Sequence, residues 1–402
     1  MFLLDNISSV KSHLTNDRNR YFLALFTGFF IPISTALTNI FCPLVLIFLL
    51  IEGDYKQKLK DWSVHPIAWS ALLLFAVMIL GLLYSSAAFS DAGRILSKYR
   101  EFFYIPLFLL IFRDSKARLW GLYGFLGAMG LTLFISYFTA ITGWEIVAGT
   151  ILNSAVFKNY ITQNLLMALA AYFLVVQLWT QSNWKWMRGF VVLLAIYNIL
   201  FMSLGRTGYL VLFCLIILLF YQIYHLRGIL VAGLLLTIAS GFLYSNSSVL
   251  QQRIDVISDD IQRYNQGEIV DHTNSIGSRI EFYQNSLILI AKNPIFGTGT
   301  GSFSHEYKQL ADKKGIRPTT NPHNEYLMIT VQWGLIGLSL FLYLLYCLWK
   351  TSSRLEKPQQ LMAQGLFVTI VVGCLFNSFW LDSTEGHLFA YLIGVFYGKY
   401  RS

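Results

Sequence analysis

The segment Asn321-Pro322-His323-Asn324 places a histidine among polar side chains directly before an apolar run. An imidazole with an ordinary pKa of about 6.5 is largely neutral outside a cell, so it can accept a proton as a general base. The alternative interpretation is a helix cap, in which Asn321 or Asn324 satisfies free backbone donors and the imidazole lies in the membrane interface. The local sequence leaves both interpretations open.

Two arginines, Arg206 and Arg279, are candidates for binding a phosphate group. Arg206 lies in the turn 203–208 between two apolar helices, where a charge is costly unless it has a partner. A guanidinium group binds phosphate oxygens in a bidentate manner, although the side chain could instead reach the lipid headgroups. Arg279 follows the capping-type sequence 275–278 and would project from the first turn of an amphipathic helix, 277–292, where free amides favour anions. Its alternative role is that of a solvated surface arginine.

The elements that must position these residues are membrane-spanning helices. Of the 402 residues, 55% are apolar and 13% are charged, so the bilayer is the solvent for most of the chain. A span requires about 20 apolar residues. Ten runs approach or exceed what is needed: 68–85, 102–113, 118–141, 161–178, 187–204, 207–224, 227–245, 324–349, 361–377 and 386–400.

The run from Tyr21 to Ile51 is too long for one span, and Pro32 and Pro43 are expected to break it into two short crossings. Two crossings put both flanks on the cytoplasmic side, as the positive-inside rule favours. The flanks carry Arg18, Arg20, Lys56, Lys58 and Lys60. The total becomes about twelve spans.

The predicted fold is therefore an all-α, polytopic integral membrane protein of about twelve transmembrane helices. Residues 1–245 form helices 1–9, and residues 323–402 form helices 10–12. Between them, 246–322 is a large polar loop outside the membrane, in which 247–270 and 277–292 look like amphipathic helices. Loops of this length usually carry function.

Three basic residues break the charge rule, because Arg94, Lys98 and Arg100 fall in a short external loop. Arg94 and Lys98 are four residues apart and would offer two cations from one helix face to the same anion. Alternatively, the three pair with Asp91 and Glu101 or with lipid headgroups.

Composition excludes several other classes. The net charge of +9 is scattered between the spans, so we expect no nucleic-acid partner. The apolar stretch at the beginning of the chain is too short for a signal peptide, so we expect no cleavage. No metal site is expected, because neither the histidines nor the cysteines have ligand spacing. The four cysteines stand singly in apolar runs: Cys42, Cys214, Cys347 and Cys374.

A family resemblance rests on the spacing of His323-Asn324, nine residues, Gly334, two residues and Gly337. This pattern resembles the signature of the O-antigen ligase family, bacterial enzymes that join O-antigen to lipid A-core. The string Asn-Pro-Ile-Phe-Gly-Thr-Gly at 293–299 is similar to a family segment of the form Pro-x-x-Gly-x-Gly. The resemblance covers most of the chain. The wider superfamily includes O-antigen polymerases and protein O-oligosaccharyltransferases, which also use polyprenyl-linked glycans.

The resemblance implies a GT-C-like glycosyltransferase of the bacterial inner membrane with its active site facing the periplasm. The family has arginines at the positions of Arg206 and Arg279, which would hold the diphosphate of an undecaprenyl diphosphate-linked glycan. His323 would be the base that activates a lipid A-core hydroxyl, with inversion of the anomeric centre and without a cofactor. Further substrate-binding residues would be Arg94, Lys98, Arg100 and Asn324.

Two alternatives remain at this point. A polymerase or a protein-glycosylating relative would use the same donor on another acceptor. A polytopic transporter or flippase would explain the spans equally well, but it predicts charges or broken helices near the middle of the membrane. Asp382 and Glu385, in the last external loop, could orient His323, bind the acceptor or simply be solvated.

Overall fold

The computed structural model of the chain describes residues 15–144, 155–203, 205–246, 251, 262 and 276–399, and it contains no strand within them. Fifteen α-helices form this part of the chain: α1 (Asp17–Ile33), α2 (Thr35–Glu52), α3 (Tyr55–Val64), α4 (Pro66–Leu80), α5 (Phe89–Lys98), α6 (Glu101–Ile111), α7 (Ser115–Thr142), α8 (Tyr160–Thr180), α9 (Lys185–Tyr197), α10 (Arg206–Asn246), α11 (Ile276–Lys292), α12 (Phe303–Lys314), α13 (Glu325–Ser352), α14 (Lys357–Phe376) and α15 (Ser383–Tyr397). A π-helical turn, Asn198–Met202, extends α9.

Apolar composition and helix length make this a polytopic membrane fold. Seven of the described helical stretches are long and apolar enough to cross a bilayer, and the number is eight when the bent pair α3–α4 counts as one span. Each of the twelve predicted crossings coincides with one of the helices or with one half of α10. The all-α, polytopic prediction is confirmed, although several of the predicted crossings are short helices.

The run from Tyr21 to Ile51 does form two helices, with the break two residues after Pro32, but the break expected at Pro43 is wrong. The chain breaks at Ser34, and α2 runs through Pro43 without interruption. A proline removes one backbone hydrogen bond, and neighbouring helices can compensate for that loss inside a membrane. An ion pair between Arg20 and Glu52 joins the beginning of α1 to the end of α2, so the two helices form a hairpin.

The long helix α10 contains a sharp turn that separates its two apolar halves. His225 has φ 55° and ψ −138°, far from helical values. A Cβ atom on Gly228 would lie 2.0 Å from the carbonyl oxygen of Phe220. Residues eight apart in a straight helix are about 12 Å apart. The halves therefore correspond to the two separate crossings that the sequence predicts.

The core is built around α6 and α15, whose side chains are buried almost throughout. The two helices approach closely at Gly394, where a Cβ atom would lie 2.5 Å from that of Phe108. Around this pair, α1 packs along α7, α13 packs on α4, and α8, α10 and α14 form a neighbouring group. The described cysteines carry free thiols.

The predicted external loop contributes two described helices, α11 and α12. The helix expected at 277–292 is present as α11, with nearly the same bounds. The helix expected at 247–270 lies outside the described residues, apart from residues 251 and 262.

Candidate functional site

His323 occupies the turn that leads into α13, with its backbone in the left-handed region at φ 55°. Histidine, asparagine and aspartate adopt this conformation more readily than other side chains with a Cβ atom. The Asn321 side chain fixes the turn, because its Oδ1 accepts from the backbone N–H of His323 at 2.8 Å and from the hydroxyl of Ser378 at 2.8 Å.

Asn324 is the N-cap of α13, as the capping interpretation predicts. Its Oδ1 accepts from the backbone N–H of Leu327 at 3.0 Å, and its Nδ2 donates to the carbonyl of Leu375 at 3.1 Å. Both ends of this buried amide are therefore engaged within the protein. The capping role belongs to Asn324, and the imidazole of His323 is left for another purpose.

Two side chains from the segment between α14 and α15 hold the imidazole of His323 in a hydrogen-bonded chain. Its Nδ1 lies 3.1 Å from Oδ1 of Asn377, and Nδ2 of Asn377 donates to Oδ2 of Asp382 at 3.2 Å. An amide oxygen can only accept, so Nδ1 must carry the proton. Nε2 is then the unprotonated nitrogen, and it has no hydrogen-bond partner among the described residues. This tautomer is the one a base needs.

Helix α11 covers the histidine from one side. The ring of Phe282 stacks on that of His323, with centroids 6.2 Å apart and planes 25° apart. The hydroxyl of Tyr283 donates to the carbonyl of Leu375 at 2.9 Å and to that of His323 at 3.2 Å. The same helix carries Arg279 one turn earlier, so these contacts also position the guanidinium group.

Arg206, Arg279 and His323 come together in the structure although they are far apart in sequence. Burial lowers the pKa of Arg279, and the charge of nearby Arg206 lowers it further. Burial likewise lowers the pKa of His323, the hydrogen bond to Asn377 raises it, and the charge of Arg279 lowers it. Both arginines remain cationic at any physiological pH.

The two guanidinium groups lack a carboxylate partner among the residues described here. Arg206 is exposed as the first residue of α10, and Arg279 is partly buried near the hydroxyl groups of Tyr160 and Tyr283. Like charges in a partly desolvated position repel each other, and a shared anion would relieve this repulsion. The arrangement is suited to a multivalent anion such as a diphosphate.

Small residues around Arg206 allow two helices to approach each other closely. A Cβ atom on Gly205 would lie 2.6 Å from the carbonyl oxygen of Tyr160, and one on Gly208 would lie 2.4 Å from Cβ of Asn164. Glycine at these positions lets the beginning of α10 pack directly against the beginning of α8. Arg206 and Tyr160 are thereby brought to the same end of the bundle, which we call the site face.

The basic residues of the external loop have separate environments. Arg94 pairs with Asp91 at 2.8 Å on an exposed surface, and Arg100 donates to the side chain of Asn39. Lys98 lies near Asp382, where its charge opposes the effect of burial, which raises the pKa of that carboxyl group. An exposed pair such as Arg94–Asp91 contributes little to stability.

Arg94 and Lys98 border a cleft of about 730 Å³ beside His323. Its walls come from α5, α12 and the loop between α11 and α12, and Lys308 adds a further cation. Asn321 and Asp382 also line the cleft. Asn321 accepts from the backbone N–H of His323, and Asp382 accepts from Asn377, the partner of the His323 imidazole. The cleft is thus linked to His323 through Asn321.

Comparison with known proteins bears directly on this site. Residues 189–342 match the family model described as O-Antigen ligase. This part of the chain is therefore similar to the O-antigen ligase family. The matched region runs from α9 to α13 and contains Arg206, Arg279 and His323, so the resemblance found in the sequence is confirmed.

One curated relative is less informative about function. The chain is 26% identical over 194 residues to an uncharacterized protein of Haemophilus influenzae (strain ATCC 51907 / DSM 11121 / KW20 / Rd). The match covers 45% of this chain and 48% of the relative. The chain therefore spans about half the length of the curated relative that it matches.

Two of the motifs within the matched region form a single structural unit. At Gly334, with φ 60°, α13 is broken, and the carbonyls of Val331 and Gln332 accept from the amides of Thr298 and Gly299 at 3.0 and 2.8 Å. A Cβ atom on Gly334 would lie 2.2 Å from the carbonyl oxygen of Ile295. The backbone of 293–301 thus replaces the lost helical hydrogen bonds, and Gly297 and Gly299 lie directly against protein backbone.

Other polar side chains near the site face have hydrogen-bond or ion-pair partners within the protein. Glu385 is buried and accepts from the hydroxyl of Thr162, and His387 pairs with Glu101 at 2.9 Å in the core. His305 lies 2.8 Å from the amide of Gln309. The described residues include no group of three or more His, Cys, Asp or Glu side chains placed to hold a metal ion.

Sequence reasoning missed Asn377, Phe282 and Lys308. Asn377 and Ser378 are polar residues directly after the apolar run of α14, and this abrupt change was a usable signal. The ring of Phe282 gave no such signal, because aromatic residues occur along the whole chain.

The hydrogen-bonded chain from His323 through Asn377 to Asp382 predicts a pH dependence of the activity. A base must be neutral, so activity is expected to be full above pH about 6.5 and to fall at lower pH as His323 gains a proton. The hydrogen bond from Asn377 raises the pKa of His323. Replacing Asn377 by Leu should therefore move the acidic limb of kcat/KM to lower pH, and loss of ring orientation should reduce the plateau about 10- to 100-fold.

The conservative variant Asp382→Asn serves as the comparison. Its side-chain oxygen can still accept from Asn377, so the acidic limb should remain closer to that of the wild type. An Asn377→Leu profile that superimposes on the wild-type profile would remove Asn377 from the role of positioning residue.

Proposed function

We propose that this protein is an O-antigen ligase that transfers a glycan from undecaprenyl diphosphate to a hydroxyl of lipid A-core. One observation carries the proposal: His323, with its Nε2 unprotonated, lies near Arg279, which in turn lies near Arg206, and neither arginine has a carboxylate partner among the described residues. A base and a diphosphate clamp are the two components that such a transfer requires, since the donor already carries a good leaving group.

The transfer step uses both components at once. The acceptor oxygen attacks the anomeric carbon while His323 Nε2 takes its proton. The bond between the anomeric carbon and the phosphate oxygen breaks, and its electron pair leaves with undecaprenyl diphosphate. Arg206 and Arg279 stabilise the charge that builds on this group. Attack opposite the leaving group inverts the anomeric centre and needs no covalent enzyme intermediate.

Donor binding also makes His323 a stronger base. In the free site, burial and the charge of Arg279 lower the pKa of His323. A bound diphosphate would offset the charge of Arg279, and the pKa of His323 would rise. Proton uptake thus becomes favourable when the donor is in place, which limits unproductive protonation of the empty site.

The cleft beside His323 fits an anionic acceptor. Three cations, Arg94, Lys98 and Lys308, border its space of about 730 Å³, and Asp382 links it to the histidine through Asn377. This position favours a role for Arg94 and Lys98 with the acceptor, while the donor lies against Arg206 and Arg279. Asn324 acts through its cap, which fixes the turn that carries His323.

The membrane setting follows from the same arrangement. The site face is periplasmic in a bacterial inner membrane, and the polyprenyl chain lies in the surrounding lipid. The buried acids Glu101, Glu325 and Glu385 lie in the first turns of their helices, near the site face, and not in the middle of the spans. This distribution favours chemistry at the surface over a transport pathway.

Deletion of the gene in its native host tests the proposal. A gel of the lipopolysaccharide should show core without the O-antigen ladder, and lipid-linked O-antigen should accumulate; a wild-type copy should restore the ladder. Core that carries a single repeat unit would indicate a polymerase. An unchanged lipopolysaccharide ladder, with loss of glycan from proteins, would indicate a protein-glycosylating enzyme.

A further inference from the structure

A second polar cavity lies at the opposite end of the bundle from the site face. Helix α15 begins beside Asp382 and ends at Tyr397, about 22 Å away along its axis. There the cavity has a volume of about 840 Å³. Its lining comes from α3, the junction of α6 and α7, and the residues directly after α15. It shares no lining residue with the cleft beside His323.

The charge of this cavity is positive. Four cations line it, against two carboxylates: Lys60, Arg113, Arg118 and Lys399, with Asp61 and Asp114. Arg113 pairs with Asp61, and Lys399 pairs with Glu356. Lys60 has no charged partner among the residues described, whereas Asp114 offsets part of the charge of Arg118, so the excess of positive charge that faces the space is carried mainly by Lys60.

Arg118 is the most constrained of these cations. Its side chain is buried, and its Nη1 donates to the carbonyls of Phe112 and Arg113 at 3.0 and 2.9 Å. Its Nε is buried without a hydrogen-bond partner in the described structure. A buried charged donor without an acceptor is costly, so an anion in the cavity would be favoured.

An apolar surface leads away from the cavity along α7. Ser115 lines the cavity, and Leu119 and Tyr123 follow at intervals of four residues on the same helix face. Leu119 is 46% exposed and Tyr123 is 50% exposed. A ligand with a phosphate group and a hydrocarbon chain would match both the cavity and this surface.

We propose that this cavity binds the headgroup phosphate of an anionic phospholipid, with an acyl chain along Leu119 and Tyr123. Helix α3 meets α4 at 92° and carries lysines, so it is suited to lie along the membrane surface beside the headgroup. The proposal is independent of the transferase activity, because it uses no residue of the site face.

Native mass spectrometry of the purified full-length protein tests it, with phosphatidylglycerol and phosphatidylcholine as probes. Replacing Lys60 by Gln should reduce retention of phosphatidylglycerol about fivefold and leave phosphatidylcholine unchanged. Lys56→Gln is the matched control, because it removes the same charge from an exposed position of α3 outside the cavity. Arg118→Lys should also weaken retention, since one ammonium group replaces a forked donor.

Three results would overturn the proposal. The first is equal retention of phosphatidylglycerol by Lys60→Gln and Lys56→Gln. The second is equal retention of phosphatidylglycerol and phosphatidylcholine by the wild type. Complete displacement of phosphatidylglycerol by inorganic phosphate would assign the cavity to a soluble anion. Lys60 is exposed, so its variant is expected to fold even where Arg118→Lys does not.

Discussion

Replacing His323 by Asn is expected to reduce glycan transfer about 10²- to 10⁴-fold, the contribution typical of a positioned general base. Asparagine is the informative substitution because it tolerates the left-handed backbone conformation that His323 adopts at φ 55°. The turn should therefore persist while the proton acceptor is lost. The measurement is single-turnover transfer from lipid-linked glycan to lipid A-core by the purified protein.

Two accompanying observations distinguish loss of the base from loss of the fold. The thermal unfolding temperature of His323→Asn should stay within a few degrees of the wild-type value, and donor binding should be retained because both arginines are intact. Transfer within about tenfold of the wild-type rate would show that another group takes the proton.

Replacing Arg279 by Lys is expected to reduce transfer about 10²-fold although the charge is kept. A lysine ammonium cannot bind two phosphate oxygens through a planar fork, and its shorter reach from α11 would leave the diphosphate less well neutralised. Arg206→Lys should behave similarly. The loss should appear mainly in kcat, because the charge on the leaving group is greatest in the transition state.

Arg317→Lys is the matched control for both substitutions. Arg317 is exposed in the loop after α12, and it lies outside the cleft beside His323. Its variant should transfer glycan at the wild-type rate. If Arg279→Lys and Arg206→Lys were as active as Arg317→Lys, the diphosphate would have to be bound elsewhere.

The sequence predicts the helices well because a bilayer imposes a minimum apolar length on each span. It locates their ends less well, as the break at Ser34 and the uninterrupted helix through Pro43 illustrate. A proline breaks a helix only where no neighbouring group compensates for the missing hydrogen bond, and that depends on packing that a single sequence does not contain.

For the candidate site, the sequence identifies residues with a local reason to be unusual. His323 stands in a polar turn before a span, and Arg206 is a charge between two apolar helices. The support for these residues is harder to find, because Asn377 is 54 residues from His323 and meets it only through the packing of α14 against α13. The environments of Arg94 and Lys98 likewise depend on the distant residues of α12 and Asp382.

The break at Gly334 has a mechanical consequence for catalysis. Residues 293–301, whose backbone fills the break, directly follow α11. They therefore connect α11, which carries Arg279, to α13, which begins directly after His323 and Asn324. Arg279 and His323 must keep a constant separation as substrates come and go.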